Sequence, residues 1–106
     1  MNLRVMRVIV FFDLPITTIQ GIRAYTKFRR FLLKDGFIMM QESVYVKLAM
    51  NQGSADLVVK SIRKICPEEG IVQVLQVTEK QFSKMEFLVG ESQTEYVDND
   101  ERLLEL

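Results

Sequence analysis

Residues 8–15 of the chain have the sequence Val-Ile-Val-Phe-Phe-Asp-Leu-Pro, and this stretch decides the fold. Its five apolar residues are continuous rather than alternating with polar ones, which is typical of a central strand buried on both faces. Pro15 cannot donate a backbone hydrogen bond to a neighbouring strand, so it ends the strand. The stretch therefore predicts a buried strand from Arg4 to Asp13, with the carboxylate of Asp13 at its end.

A helix is predicted directly after this strand. Thr17 or Thr18 can cap its start, and Gly36 follows its end at about Asp35. At 100° per residue, one broad face of this helix is apolar, and we expect that face to pack on the sheet. The face comprises Ile19, Ile22, Tyr25, Phe28, Phe31, Leu32 and Leu33.

The rest of the chain predicts further strands and a second helix. The predicted segments are strands at 37–41, 43–49, 71–78 and, shorter, 87–89, and a helix from the capping residue Ser54 to Ile65. The order β-α-β-β-α-β is the pattern of an α+β ferredoxin-like fold, in which both helices cover one face of a four-stranded antiparallel sheet. We therefore predict one ferredoxin-like domain over residues 1–90 and an acidic C-terminal tail over residues 91–106.

The apolar first strand also predicts a second copy of the chain. If both helices cover one face of the sheet, the other face of this strand is bare, although its residues are apolar on both sides. A monomer rarely exposes an apolar patch of that size. A second copy packing sheet against sheet would cover it, so we expect a two-fold homodimer.

The composition excludes several classes of function. The 106 residues include no histidine, which excludes histidine acid–base catalysis and histidine zinc sites. Cys66 is the single cysteine, which suits a reducing cytosol, and without a histidine to activate it we interpret it as a core residue. No apolar run approaches the roughly 20 residues that span a bilayer, and the start does not resemble a signal peptide. We expect a cytoplasmic protein with no membrane partner.

The net charge of zero conceals two parts of opposite charge. Residues 1–85 hold thirteen Lys/Arg and seven Asp/Glu, whereas residues 86–106 hold one Arg and seven acids. Four cations of the first helix form a narrow stripe opposite its apolar face: Arg23, Lys27, Arg30 and Lys34. Such neighbours repel by about a few tenths of a kcal/mol per pair, a cost that an anionic partner would offset. We interpret this basic stripe as a contact surface for nucleic-acid phosphates, with a plainly solvated face as the alternative.

Asp13 has two interpretations. An aspartate between a strand and a proline commonly starts a turn or caps a helix. Alternatively, a two-fold axis near the strand end would pair two copies of Asp13. Such a pair could hold Mg²⁺, which proteins usually bind with one or two carboxylates together with waters and phosphate oxygens. A metal shared in this way could activate a water for attack on a phosphodiester, and the sequence leaves both interpretations open.

Several segments together resemble the family of the second universal CRISPR-associated protein. Residues 8–15 resemble that family's opening strand, which ends in an aromatic-Asp pair. Gly36-Phe37 followed by Gln-Glu-Ser-Val-Tyr at residues 41–45 is similar to the family's Gly-aromatic and Gln-x-Ser-Val-aromatic segment. Residues 78–81, Thr-Glu-Lys-Gln, close the last core strand as in some members. The acidic tail looks like that of the variant in type II systems. Its acidic-apolar composition suits a basic groove on a partner protein, with a disordered solubilising tail as the alternative.

The resemblance implies a homodimer at the centre of a spacer-acquisition complex, bridging two dimers of the CRISPR integrase with duplex DNA across its basic surface. It also implies metal-dependent endonuclease activity on RNA or duplex DNA, in which the aspartate matching Asp13 is the catalytic and metal-binding residue. No family motif covers the basic stripe, so its DNA contact rests on helix geometry. Two alternatives stay open: a stand-alone metal-dependent endoribonuclease, and a ferredoxin-like regulatory binding domain, which here lacks a glycine-rich ligand loop.

Overall fold

The predicted β-α-β-β-α-β order is confirmed by a computed structural model of the chain, which describes residues 4–91. The strands are β1 (Met6–Asp13), β2 (Ile38–Gln41), β3 (Val44–Ala49) and β4 (Ile71–Thr78). The helices are α1 (Ile19–Lys34), α2 (Gln52–Ile65) and α3 (Glu79–Phe82). This is an α+β ferredoxin-like fold; within residues 4–91 no helix is both long enough and apolar enough to cross a membrane.

The first strand lies in the middle of the sheet, as its continuous apolar run predicts. The strand order is β2-β3-β1-β4, and β1 pairs antiparallel with both β3 and β4. On the face toward the helices, Val8 and Val10 are fully buried. On the other face, Ile9 is buried and Phe11 is half-buried even within one chain. Both sets of side chains are therefore withdrawn from water, which explains why β1 does not alternate between apolar and polar residues.

An aromatic cluster fixes α1 against the end of β1. The Phe12 ring lies 5.1 Å from the Phe28 ring, nearly perpendicular to it, and 5.7 Å from the ring of Tyr25. It also stacks on Tyr45 of β3 at 5.6 Å. Such pairs contribute about 0.5–1.5 kcal/mol each beyond the area they bury. Since Phe12 immediately precedes Asp13, these ring contacts also fix the position of the Asp13 backbone.

The packing face of α1 is narrower than the sequence analysis predicts. Phe28 and Leu32 are buried, but Ile19, Ile22 and Leu33 are all exposed. At 100° per residue, Ile19 points about 180° away from Phe28, and Leu33 about 140° away. The prediction that these three side chains pack on the sheet is wrong, because they point too far from the direction of the buried Phe28 and Leu32.

The two long helices begin at polar caps. The hydroxyl of Thr18 accepts a hydrogen bond from the Gly21 amide at 3.0 Å, so one of the two predicted caps of α1 is confirmed. The prediction of Ser54 as the cap of α2 is wrong. Asn51 caps this helix, and its side chain accepts from the Ser54 amide at 2.8 Å. Asparagine and serine both suit this position, and the earlier of the two starts the helix.

The segment after β4 differs from the prediction. Thr78 and Gln81 form a capping box that starts α3, a short helix absent from the sequence analysis although its Thr-x-x-Gln signal was present. The predicted fifth strand at residues 87–89 is not formed in the single chain. A strand exists only when it pairs with an edge of a sheet, and in this chain neither β2 nor β4 pairs with that segment.

The sheet face that points away from α1 and α2 is apolar and partly uncovered. The side chains that it exposes to solvent are Ile38, Leu48, Ile71 and Leu75. They alternate with helix-facing residues along their strands, as the register with β1 requires. The bare face that led us to expect a second copy is therefore present, while the homodimer itself remains a prediction.

Candidate nucleic-acid and metal site

Asp13 is the last residue of β1, where it lies opposite Ile71 of β4. Its carboxylate is exposed and forms no hydrogen bond or ion pair within residues 4–91. The helix that follows is capped by Thr18. The capping interpretation of Asp13 therefore has no contact to support it, and the carboxylate is available to a ligand.

Two turns that are distant in sequence flank Asp13. The Ser43 carbonyl accepts a backbone hydrogen bond from β1, and Ser43 has a left-handed backbone with φ of 65°. On the other side, a Cβ on Gly70 would lie 2.6 Å from the Asp13 carbonyl oxygen, so only glycine fits there. The preceding residues of these turns, Glu42 and Glu69, are exposed acids. This convergence is not predicted from the sequence, because it depends on strand register.

In one chain, the end of β1 supplies only some of the ligands that a metal ion needs. Asp13 offers the oxygen donor that Mg²⁺ prefers. Within the described residues, however, no three Cys, Asp or Glu side chains lie close enough together to hold a metal ion. A second copy of the chain, placed on a two-fold axis near this strand end, would add a second Asp13 carboxylate.

The basic stripe is exposed along its whole length. Each of Arg23, Lys27, Arg30 and Lys34 is exposed, and none forms an ion pair within residues 4–91. No acidic residue occurs in α1. At 1.5 Å per residue the stripe spans about 16 Å, which corresponds to roughly five steps of a duplex at 3.4 Å each. Within residues 4–91, these cations therefore remain in contact with solvent and are accessible to phosphates.

The stripe also borders a shallow apolar depression. Ile22 and Thr26 line it together with the side chains of Arg23, Lys27 and Arg30. The sequence analysis placed Ile22 on the packing face, whereas the structure places it among the cations. The structure does not bring the stripe into contact with the carboxylate at the end of β1; the two features lie on consecutive elements.

Cys66 is not a core residue, which corrects the sequence analysis. It is the C-terminal cap of α2 and is exposed. Partial burial of its sulfur still raises the pKa of the thiol, and the nearby Arg63 offsets only part of that rise. A thiol with a raised pKa is protonated near neutral pH and is a weak nucleophile. The expectation that Cys66 is not catalytic stands on this ground.

An ion pair anchors α3 to β1. The guanidinium of Arg7 donates two hydrogen bonds to the Glu79 carboxylate, one of them at 3.0 Å. The Arg7 guanidinium carbon also lies 4.7 Å from the centre of the Phe82 ring. Hydrogen bonding from Arg7 lowers the pKa of the Glu79 carboxyl below its ordinary value. This clamp joins residues 72 positions apart and sets where the chain leaves β4.

Comparisons with known proteins agree with this geometry. The family described as CRISPR associated protein Cas2 matches residues 6–85. A protein named CRISPR-associated endoribonuclease Cas2 from Treponema denticola is 57% identical over 101 residues, 95% of this chain and 100% of that relative. A protein of the same name from Streptococcus mutans is 44% identical over 93% of this chain and 91% of its own length. Another from Ligilactobacillus salivarius is 43% identical over 93% of this chain and 98% of its own length. The chain therefore belongs to the Cas2 family of CRISPR-associated proteins.

Proposed function

We propose that this Cas2-family chain acts in CRISPR adaptation as a homodimeric adaptor that binds duplex DNA. The observation that carries the proposal is the basic stripe, four exposed cations on a helix with no acid to neutralise them. Spaced cations without interleaved aromatic side chains suit contact with the phosphate backbone, which reads the shape and charge of a duplex rather than its bases.

The uncovered sheet face supports the homodimer. Its exposed isoleucine and leucine side chains cost free energy in water, and a second copy packed face to face would remove them from solvent. A two-fold axis would also present two copies of α1, and therefore two basic stripes, on one assembly. Because the sheets pack face to face, the two stripes would lie on opposite outer sides of the dimer.

The proposal includes a protein partner, the CRISPR integrase. An adaptor that binds DNA on its helices needs a further surface for this partner, and the acidic tail over residues 91–106 is the segment that we assign to it. The integrase subunit should co-purify with the full chain and should be lost when residues 91–106 are deleted. Equal recovery with the shortened chain would refute the assignment.

A second candidate function is metal-dependent endonuclease activity, and the free Asp13 carboxylate favours it. The similar proteins are named endoribonucleases, which makes RNA the first substrate to test. Asp13 from each copy would hold Mg²⁺, which when bound can activate a water and stabilise charge on a phosphodiester. The protein's own contribution is positional, because the aromatic cluster and the flanking turns hold the Asp13 backbone rigidly.

The DNA-binding proposal is tested by reversing the stripe. A full chain carrying R23E, K27E, R30E and K34E should lose duplex binding while keeping its native circular dichroism. The matched control carries R4E, K80E, K84E and R102E, which change the net charge equally outside α1. Equal affinity of the two variants would show that the stripe does not bind DNA and that any binding follows net charge alone.

A further inference from the structure

A groove between α1 and α2 carries cations on both sides. Lys27 of α1 and Lys64 of α2 line the same cavity of about 380 Å³. Phe31 and Pro67 contribute apolar surface to this cavity, and Cys66 also borders it. Lys27 of the basic stripe therefore lies on one side of a groove that has Lys64 on its other side.

The cations of α2 are not neutralised by neighbouring acids. Lys60 and Lys64 lie four residues apart on the exposed side of α2. Asp56, one turn before Lys60, is engaged elsewhere, because its carboxylate accepts hydrogen bonds from Gln52 and Gln76 at 3.0 and 3.2 Å. Lys60 therefore forms no ion pair with any residue from 4 to 91, and it lies on the same row as Lys64.

One acid, Glu68, also lines the groove, next to Pro67. It forms no ion pair with Lys64 within the described residues. The turn that carries it also borders the start of α1, at Pro15 and Gly21. The groove is therefore basic along the helices and acidic at the end nearest Asp13.

We propose that the nucleic-acid surface spans this groove, with Lys60 and Lys64 of α2 as a second row of phosphate contacts. The inference rests on the proposed function and names further residues for it. Lys27 and Lys64 lie on the two sides of one cavity of about 380 Å³, so a duplex over that cavity meets cations of both helices. Cations on both sides of the groove can contact phosphates of both strands, whereas the stripe on α1 alone follows one strand.

The test compares two double variants of the full chain that change the charge equally. K60E/K64E removes the second row, and K80E/K84E removes two exposed cations outside both long helices. Each lost phosphate contact lowers the slope of log affinity against log salt by about 0.9. When salt is raised from 50 to 200 mM, the factor by which the wild type loses affinity should therefore be about 12 times the factor for K60E/K64E. K80E/K84E should lose affinity by the same factor as the wild type.

The outcomes separate this inference from the function on which it rests. If K60E/K64E matches K80E/K84E while reversal of the basic stripe abolishes binding, DNA binding stands and the second row is refuted. If neither the stripe nor the second row affects binding, both proposals are refuted. The neutral variant K60Q/K64Q, with its melting temperature measured, separates loss of contact from loss of fold.

Cys66 provides a direct readout of the same groove. It is the chain's single cysteine, it is exposed, and it borders the cavity that Lys27 and Lys64 share. Saturating duplex DNA should lower the alkylation rate of Cys66 at least fivefold in the wild type. In K60E/K64E, with the same fraction of protein bound to duplex, the rate should fall by a smaller factor. An unchanged alkylation rate with the duplex fully bound would place the DNA away from the groove and overturn the inference.

Discussion

Asp13 has a carboxylate that forms no hydrogen bond or ion pair with residues 4–91, although it ends a buried strand two residues before a proline. At that position an aspartate usually accepts a hydrogen bond from the next turn or helix, but Thr18 has taken the capping role. Its backbone is held by neighbours, while its side chain is not. A polar group that is positioned by rigid backbone and left unused by the fold is suited to binding a ligand.

We expect D13N to preserve duplex binding, because the cations and not this carboxylate supply the affinity. If the protein is a nuclease, magnesium-dependent cleavage of RNA or DNA should fall at least 100-fold, since an amide is a poor Mg²⁺ ligand. Mixed dimers with one D13N subunit should also lose most activity. Cleavage assays and binding titrations on the same preparations measure both effects. Cleavage by D13N at the wild-type rate would remove Asp13 from the chemistry.

At the scale of elements, α3 is held by the clamp of Arg7, Glu79 and Phe82 rather than by burial. A four-residue helix is too short to be stable alone, and none of its residues is fully buried. Its position depends on a capping box and on one ion pair to β1. The chain beyond it, including Phe87 and the tail, starts from a direction set by this clamp.

The clamp predicts a dependence of stability on pH. The folded-state pKa of Glu79 is lowered from its ordinary value of 4.5, so its contribution to folding is present above that value and is lost as the pH falls through the lowered pKa. We expect E79Q to cost about 0.5–1 kcal/mol at pH 7, a small effect because the pair is partly solvated. Urea unfolding should show this difference shrinking below pH 4.5. A difference that is constant with pH would mean that Glu79 acts through packing alone.

At the scale of the whole molecule, the two faces of the sheet have different environments. One face is sealed by α1 and α2, and the other exposes apolar side chains around β1. This asymmetry predicts self-association at micromolar concentration. Light scattering should give a dimeric mass for the wild type, and a monomeric mass there would refute the dimer.

A matched pair of variants locates the interface. Leu75 lies on the open sheet face and is half exposed, whereas Leu57 is on α2 and is at least as exposed. We expect L75E to dissociate the dimer, because it places a charge between two apolar sheets. L57E should leave the mass unchanged. Dissociation by L57E and not by L75E would move the interface to the helical face.

The sequence alone determined the features that depend on local pattern. The run at residues 8–15 marks the central strand and places Asp13 at its end, and helical periodicity separates the basic stripe from the face of α1 that packs on the sheet. These predictions succeed because backbone geometry, with periods of 2 and 3.6 residues, repeats over short distances. The errors at Ile19, Leu33 and the cap of α2 arose from judging how far each pattern extends.

Only the tertiary structure decided which distant residues meet. The turns at Ser43 and Gly70 flank Asp13 because strands β3 and β4 pair with β1 in one register. The groove shared by Lys27 and Lys64 exists because α1 and α2 lie on the same face of the sheet. Such contacts depend on strand register and on packing between residues dozens of positions apart, whereas the sequence patterns predict the elements and their order.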